Sequence, residues 1–223
     1  VRPGKVLALW NNYMALAAKL NLADPAEPLY FMKAPSSYLD PGDAIIAPPG
    51  QGKIVYEGEL AIVIGHRAKA VSESAALAHV FGYTCCNDVT AAEVLNRDAS
   101  FAQWVRAKSY DSFCPLGPSV VPVAEVKDPQ ALRVRCRVNG QTMQDTTTDL
   151  MMFPIAQLIS FISTWTTLEV GDVIVTGTPG AAASSNWPFV APATRKTSDA
   201  AGLSTSVARM FPPVIVTVCS GSI

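Results

Sequence analysis

The sequence predicts a mainly β fold with a few short helices, an α+β class, and three observations support this. Seventeen prolines and 14 glycines fall mostly between short β-branched runs, a pattern typical of many brief strands joined by turns. The sequence contains no internal repeat and no heptad run. With 49% apolar and only 16% charged residues in 223 positions, the chain can bury a sizeable core.

Four segments have the composition of strands. Their β-branched and other apolar residues lie between turn-forming residues, and they are Lys5–Leu9, Ile54–Ile64, Leu132–Val138 and Val173–Thr176. The second strand follows Asp40–Gly52, whose six prolines and glycines predict a loop.

Three segments have the pattern of helices. Asn12–Leu20 is rich in helix formers, and Asn11 or Asn12 is a candidate N-cap. Glu73–Phe81 has helical apolar spacing and is followed by Gly82 as a candidate C′ residue. The third helix has one apolar face formed by Ile155, Leu158, Ile159 and Ile162.

The chain is predicted to contain one catalytic domain, residues 1–179, followed by an atypical tail, residues 180–223. The tail is rich in Ala, Ser, Thr and Pro and has little periodicity until the apolar run Val214–Val218. We expect it to be irregular.

The charge balance indicates a small-molecule ligand. Seventeen basic and 18 acidic residues give a net charge of −1, which provides no basic surface for nucleic acid or anionic membranes. No apolar run approaches the ~18 residues of a membrane span, and Val1–Lys5 has no signal-peptide pattern. We therefore expect neither a nucleic-acid nor a membrane partner.

The cysteines fit a reducing cytoplasm. There are five, an odd number, and none forms a C-x-x-C pair. We expect structural or incidental thiols, not nucleophiles or disulfide partners, at Cys85, Cys86, Cys114, Cys136 and Cys219.

Common enzyme motifs are missing or incomplete. Gly50–Lys53 resembles the end of a P-loop, but Ala47 replaces its first glycine and Ile54 replaces its Ser or Thr. The sequence has no G-x-S-x-G elbow and no G-x-G-x-x-G after a strand.

Two carboxylates interrupt an otherwise apolar strand. Glu57 and Glu59 are two positions apart, which places them on the same face of a strand. On a buried face they repel each other unless a cation or a shared proton compensates them. The alternative is that this face is the solvated side of an edge strand.

A third carboxylate favours the metal interpretation. Asp88 follows the apolar stretch Phe81–Cys86, where another strand would end. Three carboxylates without His or Cys partners form a hard oxygen site, which favours Mg²⁺, Mn²⁺ or Ca²⁺ over zinc.

The remaining polar candidates are ambiguous from their own surroundings. Lys108 lies in the turn-rich segment Arg106–Pro118, which by itself indicates a surface loop. Gly177 and Thr178 close a strand, where the glycine allows close approach to a ligand but a plain β-turn explains it equally well.

His66 is predicted not to be a metal ligand, and His79 is predicted not to be a catalytic base. His66, if the strand continued, would have the opposite parity to Glu57 and Glu59. His79 lies on the predicted second helix, as a packed or exposed residue.

Taken in order, five motifs resemble the fumarylacetoacetate hydrolase superfamily, of the acylpyruvate hydrolase or 2-hydroxyhepta-2,4-diene-1,7-dioate isomerase-decarboxylase type. The resemblance covers about residues 5–179. The motifs are Glu57–Ala61, Gly82–Thr84 with Asn87–Thr90, Arg106–Ser109 through Cys114–Pro118, Arg137–Gly140, and Leu168–Ile174 with Thr176–Pro179.

The resemblance implies mixed β-sheets rolled around a metal site, and a homodimer. It also implies Mg²⁺ or Mn²⁺ bound by Glu57, Glu59 and Asp88, with Lys108 facing the substrate as the catalytic lysine. Gly177 and Thr178 would contact the substrate, Thr178 at its carboxylate end.

The chain departs from the family pattern at three positions. Family hydrolases often carry a His and a Glu on the first helix that activate water, and here these positions are Leu16 and Lys19. The arginine often found four residues after the metal-binding Asp is Ala92.

The resemblance implies a divalent-metal-dependent hydrolase that cleaves a C–C bond of an acylpyruvate-type 2-oxo acid through a metal-bound enolate. The alternatives are a 2-hydroxyhepta-2,4-diene-1,7-dioate isomerase or 2-oxo-acid decarboxylase of aromatic catabolism, neither of which needs an activated water. A further alternative is a catalytically inactive, metal-binding family member.

Overall fold

The structure is a computed structural model, and it describes residues 2–179 and the backbone of residues 214–220. The strands are β1 Val6–Trp10, β2 Leu29–Lys33, β3 Tyr38–Leu39, β4 Ile54–Val55, β5 Gly58–Ile64, β6 Val80–Asn87, β7 Thr90–Ala91, β8 Cys114–Pro115, β9 Val121–Pro122, β10 Leu132–Val138, β11 Gln141–Thr147, β12 Val173–Val175 and β13 Val214–Ser220. The α-helices are α1 Met14–Leu20, α2 Glu73–Ala76, α3 Ala92–Leu95, α4 Trp104–Lys108 and α5 Ile155–Trp165.

A six-stranded mixed sheet forms the centre of the fold, in the order β2-β1-β12-β5-β6-β9. The β1–β12 pair is parallel and the other neighbours are antiparallel. β5 therefore lies inside the sheet, between β12 and β6. This confirms the predicted mainly β class with few short helices.

A second sheet has the order β11-β10-β13. β13 pairs with the whole of β10, from Leu132 opposite Ser220 to Val138 opposite Val214. The rest of the predicted tail, residues 180–213 and 221–223, lies outside the described residues, and the boundary at residue 179 stays a prediction.

The largest core cluster joins the two sheets and α5. It includes Leu60 and Ile174 from the first sheet, Val134 from the second, and Ile159 from the helix, all 0% exposed. The predicted apolar face of the third helix is therefore confirmed as a core face. Among the described helices, none combines the length and hydropathy needed to cross a membrane.

The predicted continuous strand Ile54–Ile64 is wrong in one respect, because it breaks at Tyr56 and Glu57 into β4 and β5. β4 pairs with β7, whereas β5 pairs with β12 and β6. The break occurs where the chain passes from one sheet to another.

The predicted helix Glu73–Phe81 is also too long. α2 ends at Ala76, a 3₁₀ turn follows at Leu77–His79, and the next residues begin β6. Gly82 therefore lies inside a strand and caps no helix. A Cβ atom there would lie 2.3 Å from the Val121 carbonyl oxygen on β9, so glycine permits this close strand approach.

Neither asparagine caps the first helix, which starts at Met14 after Tyr13. The Asn12 amide instead donates to the Thr176 carbonyl at 3.0 Å, and its Oδ1 accepts from the Phe153 N–H at 2.9 Å. Asn12 thus connects the end of β1 to the ends of β12 and the segment before α5.

Candidate functional site

Three carboxylates meet beside the central sheet. Glu57 lies in the break between β4 and β5, Glu59 lies on β5, and Asp88 directly follows β6. One ligand oxygen from each lies within 4.8 Å of the others. The residues are 8%, 1% and 1% exposed, so the interpretation as the solvated face of an edge strand is wrong.

Backbone bonds hold the two acidic segments together. The Asp88 N–H donates to the Glu57 carbonyl at 2.8 Å, and the Glu57 N–H donates to Asn87 Oδ1 at 3.0 Å. β5 and β6 pair up to Gly58 opposite Asn87. The ends of two adjacent strands therefore direct their carboxylates into one volume.

Two buried lysines partly neutralise this acidic cluster. Lys108 Nζ donates to Glu57 Oε2 and, at 2.6 Å, to Asp88 Oδ2. Lys33 Nζ donates to Asp88 Oδ1 at 2.5 Å. Lys108 is 1% exposed at the end of α4, so the segment around it is not the surface loop that its composition indicates.

Lys33 was missed by the sequence analysis, although its strand carries a signal. On β2, Phe31 and Lys33 are buried while Tyr30 and Met32 are exposed. A lysine at the inward parity of an alternating strand requires a buried anionic partner, and Asp88 is that partner.

The carboxyl groups differ in their proton affinity. Burial raises the pKa of Glu57 to about 6 against the opposing effect of Lys108. Burial, with the nearby Asp88 and Glu57 charges, raises the pKa of Glu59 well above its ordinary range. Burial also opposes ionisation of Asp88, but Lys108 and Lys33 outweigh it and lower that pKa.

Lys108 is held as an ammonium ion. Burial by itself lowers its pKa, but the charges of Asp88 and Glu57 outweigh burial and raise it. The Lys108 Nζ also lies 5.0 Å from the centre of the Phe31 ring, where the ring face attracts a cation. Positive charge is therefore fixed beside the carboxylates.

The donor set fits a divalent cation. Glu59 Oε2 accepts from the Gly177 N–H at 2.6 Å, but the buried Glu59 Oε1 has no hydrogen-bond partner among the residues that the structure describes. A buried carboxylate oxygen without a partner is costly unless it coordinates a cation or binds a proton. Three carboxylates against two ammonium groups also leave negative charge, which a hard cation with oxygen ligands would balance.

The segment after β12 completes one side of the site. Gly177 has a φ of +95°, and its N–H is directed at Glu59. Thr178 is 4% exposed, and its Oγ1 accepts from Gln144 Nε2 at 2.8 Å. Gln144, from β11, is a second residue that the sequence analysis missed.

A cleft of about 200 Å³ reaches both Glu57 and Thr178. The three positions that depart from the family pattern, Leu16, Lys19 and Ala92, line it. Its other lining residues are Trp10, Leu20, Lys53, Val55, Thr90, Leu95 and Asn96.

The histidines are not part of the acidic group, as predicted. His66 is exposed, and His79 Nδ1 lies 3.3 Å from the His66 carbonyl oxygen. Cys85, Cys86, Cys114 and Cys136 are buried free thiols in the structure. The Cys219 side chain lies outside the described residues.

Comparison with known proteins identifies relatives over most of the chain. Residues 5–209 match the family model described as fumarylacetoacetate (FAA) hydrolase C-terminal. The oxaloacetate tautomerase FAHD2A of Bos taurus is 42% identical over 179 residues, which cover 80% of this chain and 56% of that protein. The 2,4-didehydro-3-deoxy-L-rhamnonate hydrolase of a Sphingomonas species is 44% identical over 176 residues, which cover 79% of this chain and 61% of that protein. The chain thus spans little more than half the length of these two curated relatives.

Solved structures agree with the sequence relatives. A 5-carboxymethyl-2-hydroxymuconate delta-isomerase from Mycobacterium smegmatis is 38% identical with a TM-score of 0.73, covering 82% of this chain and 70% of that one. A 2-hydroxyhepta-2,4-diene-1,7-dioate isomerase from Mycobacterium marinum is 37% identical with a TM-score of 0.73, and the match covers 82% of this chain and 66% of that one.

Proposed function

This chain belongs to the fumarylacetoacetate hydrolase family, and we propose that it is a divalent-metal-dependent enzyme that enolises a 2-oxo acid. The reaction moves a proton at the carbon beside the 2-oxo group and ends in a keto–enol or double-bond isomer. Mg²⁺ or Mn²⁺ is the proposed metal, because the candidate ligands are all carboxylates.

One observation carries the preference for isomerisation. The cleft that reaches Glu57 and Thr178 is lined by Leu16 and Lys19 where family hydrolases often carry the water-activating His and Glu. Leucine cannot accept a proton, and a lysine ammonium has no lone pair for a water proton. Enolisation passes the carbon-bound proton to solvent in the cleft and takes a proton back at oxygen or at another carbon, so it needs no water activated as a nucleophile. These replacements therefore remove a group that hydrolysis requires.

The protein residues have distinct proposed roles. Glu57, Glu59 and Asp88 hold the metal, which when bound withdraws electrons from the 2-oxo group. Lys108, fixed as an ammonium by Asp88 and Glu57, stabilises the negative charge that develops on the substrate. Lys33 keeps Asp88 ionised and oriented.

The cleft favours an anionic substrate with an apolar middle portion. Thr178 would bind the substrate carboxylate, as the family resemblance implies, and Gly177 would shape the backbone beside it. Lys19 and Lys53 add two cationic groups to a cleft whose other walls include Leu16, Leu20 and Leu95. Such a lining attracts an organic acid and shields its carbon chain from water.

C–C hydrolysis of an acylpyruvate, the function that the resemblance implies first, is here the second candidate function. The 44% identity to a protein named a hydrolase favours it, whereas the 42% identity to a protein named a tautomerase favours enolisation. Decarboxylation uses the same electron withdrawal from the 2-oxo group, but it forms the enolate by breaking the bond to a departing CO₂ instead of a C–H bond.

Product analysis tests these alternatives. The Mn²⁺-loaded protein would be incubated with oxaloacetate and an acylpyruvate, with keto–enol exchange followed by ultraviolet absorbance and carbon products by mass spectrometry. We expect keto–enol exchange to be faster than the uncatalysed rate, without carbon–carbon cleavage. Glu59→Gln should give no acceleration over the uncatalysed rate. Release of pyruvate from the acylpyruvate would show hydrolysis instead, and CO₂ release at the enzymatic rate would show decarboxylation. No reaction with any substrate would overturn the proposal in favour of an inactive, metal-binding protein.

The family resemblance also leads us to propose a homodimer, and the balanced charge of the sequence leads us to propose no nucleic-acid or membrane partner. The exposed apolar residues Leu29, Tyr30 and Met32 lie on β2, an edge of the central sheet, and are 40–43% exposed. Apolar side chains exposed on a sheet edge are a common feature of protein interfaces.

A further inference from the structure

Gln144 is a buried polar residue that comes from outside the central sheet. It lies on β11 in the second sheet, and it is 1% exposed, the only residue of that strand in the buried class. A buried side-chain amide is costly unless both its oxygen and its nitrogen are hydrogen-bonded. Its partners therefore indicate why a glutamine lies there.

Both ends of the Gln144 amide face the candidate site. Its Oε1 accepts from the Gly58 N–H at 2.9 Å, between Glu57 and Glu59, and its Nε2 donates to Thr178 Oγ1 at 2.8 Å. A backbone N–H can only donate, so the amide oxygen must face Gly58 and the NH₂ group must face Thr178.

This orientation determines what the Thr178 hydroxyl can do. Its oxygen already accepts a hydrogen bond, so its own hydrogen is free to donate in another direction. Within residues 2–179 the hydroxyl donates to no protein group, and Thr178 lines the cleft together with Glu57. The hydroxyl is therefore prepared to donate to an anionic ligand in the cleft.

We propose that Gln144 is a positioning residue that fixes Thr178 as a hydrogen-bond donor to the substrate carboxylate. This inference rests on the proposed function, because it requires a 2-oxo acid in the cleft. It also assigns the second sheet a role, since β11 places Gln144 against both β5 and the segment after β12.

Gln144→Glu tests the donor direction. In its ionised form the introduced carboxyl can still accept from Gly58 but cannot donate to Thr178, so the threonine hydroxyl would donate to it instead and be lost to the substrate. Because a buried carboxyl can stay protonated, KM is measured from pH 6 to pH 9, and the rise is expected at the pH values where the carboxyl is ionised. Loss of this hydrogen bond to the charged substrate carboxylate should weaken substrate binding, so KM should rise about 10- to 100-fold. The turnover number should stay within about twofold, because this bond serves binding. Gln141→Glu, exposed on the same strand, is the matched control.

A double-mutant comparison separates positioning from a structural role. In a Thr178→Val background, Gln144→Glu should cause no further rise in KM, since the hydroxyl that Gln144 orients is already gone. An equal rise in both backgrounds, or an unchanged KM in Gln144→Glu, would overturn the inference.

A crystal structure of Gln144→Met gives a readout that is independent of activity. It also provides a second test if the Gln144→Glu variant does not fold. We expect the Thr178 hydroxyl to leave the rotamer that it has in the wild-type crystal. The same rotamer in both crystals would overturn the inference. Failure of the wild-type protein to bind any 2-oxo acid would overturn the proposed function, whatever the Thr178 rotamer.

Discussion

At the scale of single residues, the site depends on charge held out of water. Glu57, Glu59, Asp88, Lys33 and Lys108 are each at most 8% exposed. The lysines are hydrogen-bonded to Glu57 and Asp88, and a Glu59 oxygen lies within 4.8 Å of these two carboxylates. Removal of one member leaves its partners buried without compensation, which costs far more than loss of a surface ion pair. Single substitutions here should therefore have large effects of predictable direction.

Glu59→Gln should abolish high-affinity Mn²⁺ binding. The substitution removes a carboxylate whose buried Oε1 has no hydrogen-bond partner among the described residues, and an amide oxygen is a weaker ligand for a hard cation. Isothermal titration calorimetry measures the affinity, and Glu169→Gln, whose side chain is 57% exposed, serves as the control. Unchanged affinity in Glu59→Gln would show that the metal assignment is wrong.

Lys108→Ala should lower kcat by roughly 10²–10³, about the effect of losing one preorganised charge-stabilising donor. Metal binding should survive, because Glu57 and Asp88 lose a competitor for their oxygens. Lys108→Arg should not restore the rate, since a planar guanidinium does not fit a compact ammonium position. Steady-state kinetics would be compared with Lys69→Ala, an exposed lysine. Near-normal turnover in Lys108→Ala would show that Lys108 does not stabilise the negative charge that develops on the substrate.

At the scale of elements, strand ends and the connections between them position the site. Glu57 lies in the break between β4 and β5, Asp88 follows β6, and Thr178 follows β12. Each of these segments is held by a side chain from another element, such as Gln144 on β11 and Asn12 after β1. The geometry therefore depends on contacts between residues far apart in the sequence.

Asn12→Ala should lower the free energy of unfolding by about 2–3 kcal/mol. It leaves the Thr176 carbonyl and the Phe153 N–H without a buried side-chain partner, and each such loss costs about 1–3 kcal/mol. Urea denaturation measures the change, with Asn96→Ala, an exposed asparagine, as the control. Equal effects of the two substitutions would contradict the proposed connection.

At the scale of the whole molecule, the buried acidic cluster makes stability depend on pH and on metal. The pKa of Glu57 is raised from 4.5 to about 6, so its neutral form is favoured in the folded protein. The stability that this group contributes is fully present below pH 4.5 and is lost as the pH rises through about 6. A bound cation requires the charged form and should offset that loss.

Mg²⁺ should therefore stabilise the protein more at pH 8 than at pH 5. At a free concentration 100 times Kd, the stabilisation is about 2.7 kcal/mol, and Tm should rise by roughly 5–10 °C for a domain of this size. Thermal denaturation with Mg²⁺ or with EDTA at both pH values measures this. An equal shift at the two pH values, or an equal shift in Glu59→Gln, would contradict metal binding at the carboxylates.

The protein should be a dimer in solution. Light scattering after size-exclusion chromatography should give twice the mass of the chain, and Tyr30→Glu should shift it toward the monomer by placing charge on the apolar edge of β2. A monomeric mass for the wild-type chain would contradict the homodimer that the family resemblance implies.

The sequence alone was sufficient to predict the class of fold, the spacing of Glu57 and Glu59, and the third carboxylate at Asp88. These features depend on local composition and on the period of two in a strand, which need no knowledge of distant contacts. The strand β10 and the apolar face of α5 were predictable for the same reason. The family resemblance added Lys108 and Thr178, whose own surroundings indicate only a loop and a turn.

Only the tertiary structure identified the roles of Lys33, Gln144 and Asn12. The partner of Lys33 lies 55 positions away in the sequence. The partners of Gln144 lie 34 and 86 positions away, and those of Asn12 lie 141 and 164 positions away. The same limit explains why α2 was predicted too long, since pairing of β6 with β5 and β9 outweighs helical spacing at Val80 and Phe81. A buried polar side chain is stabilised by the partner that the fold brings to it, and that partner cannot be read from the neighbouring residues.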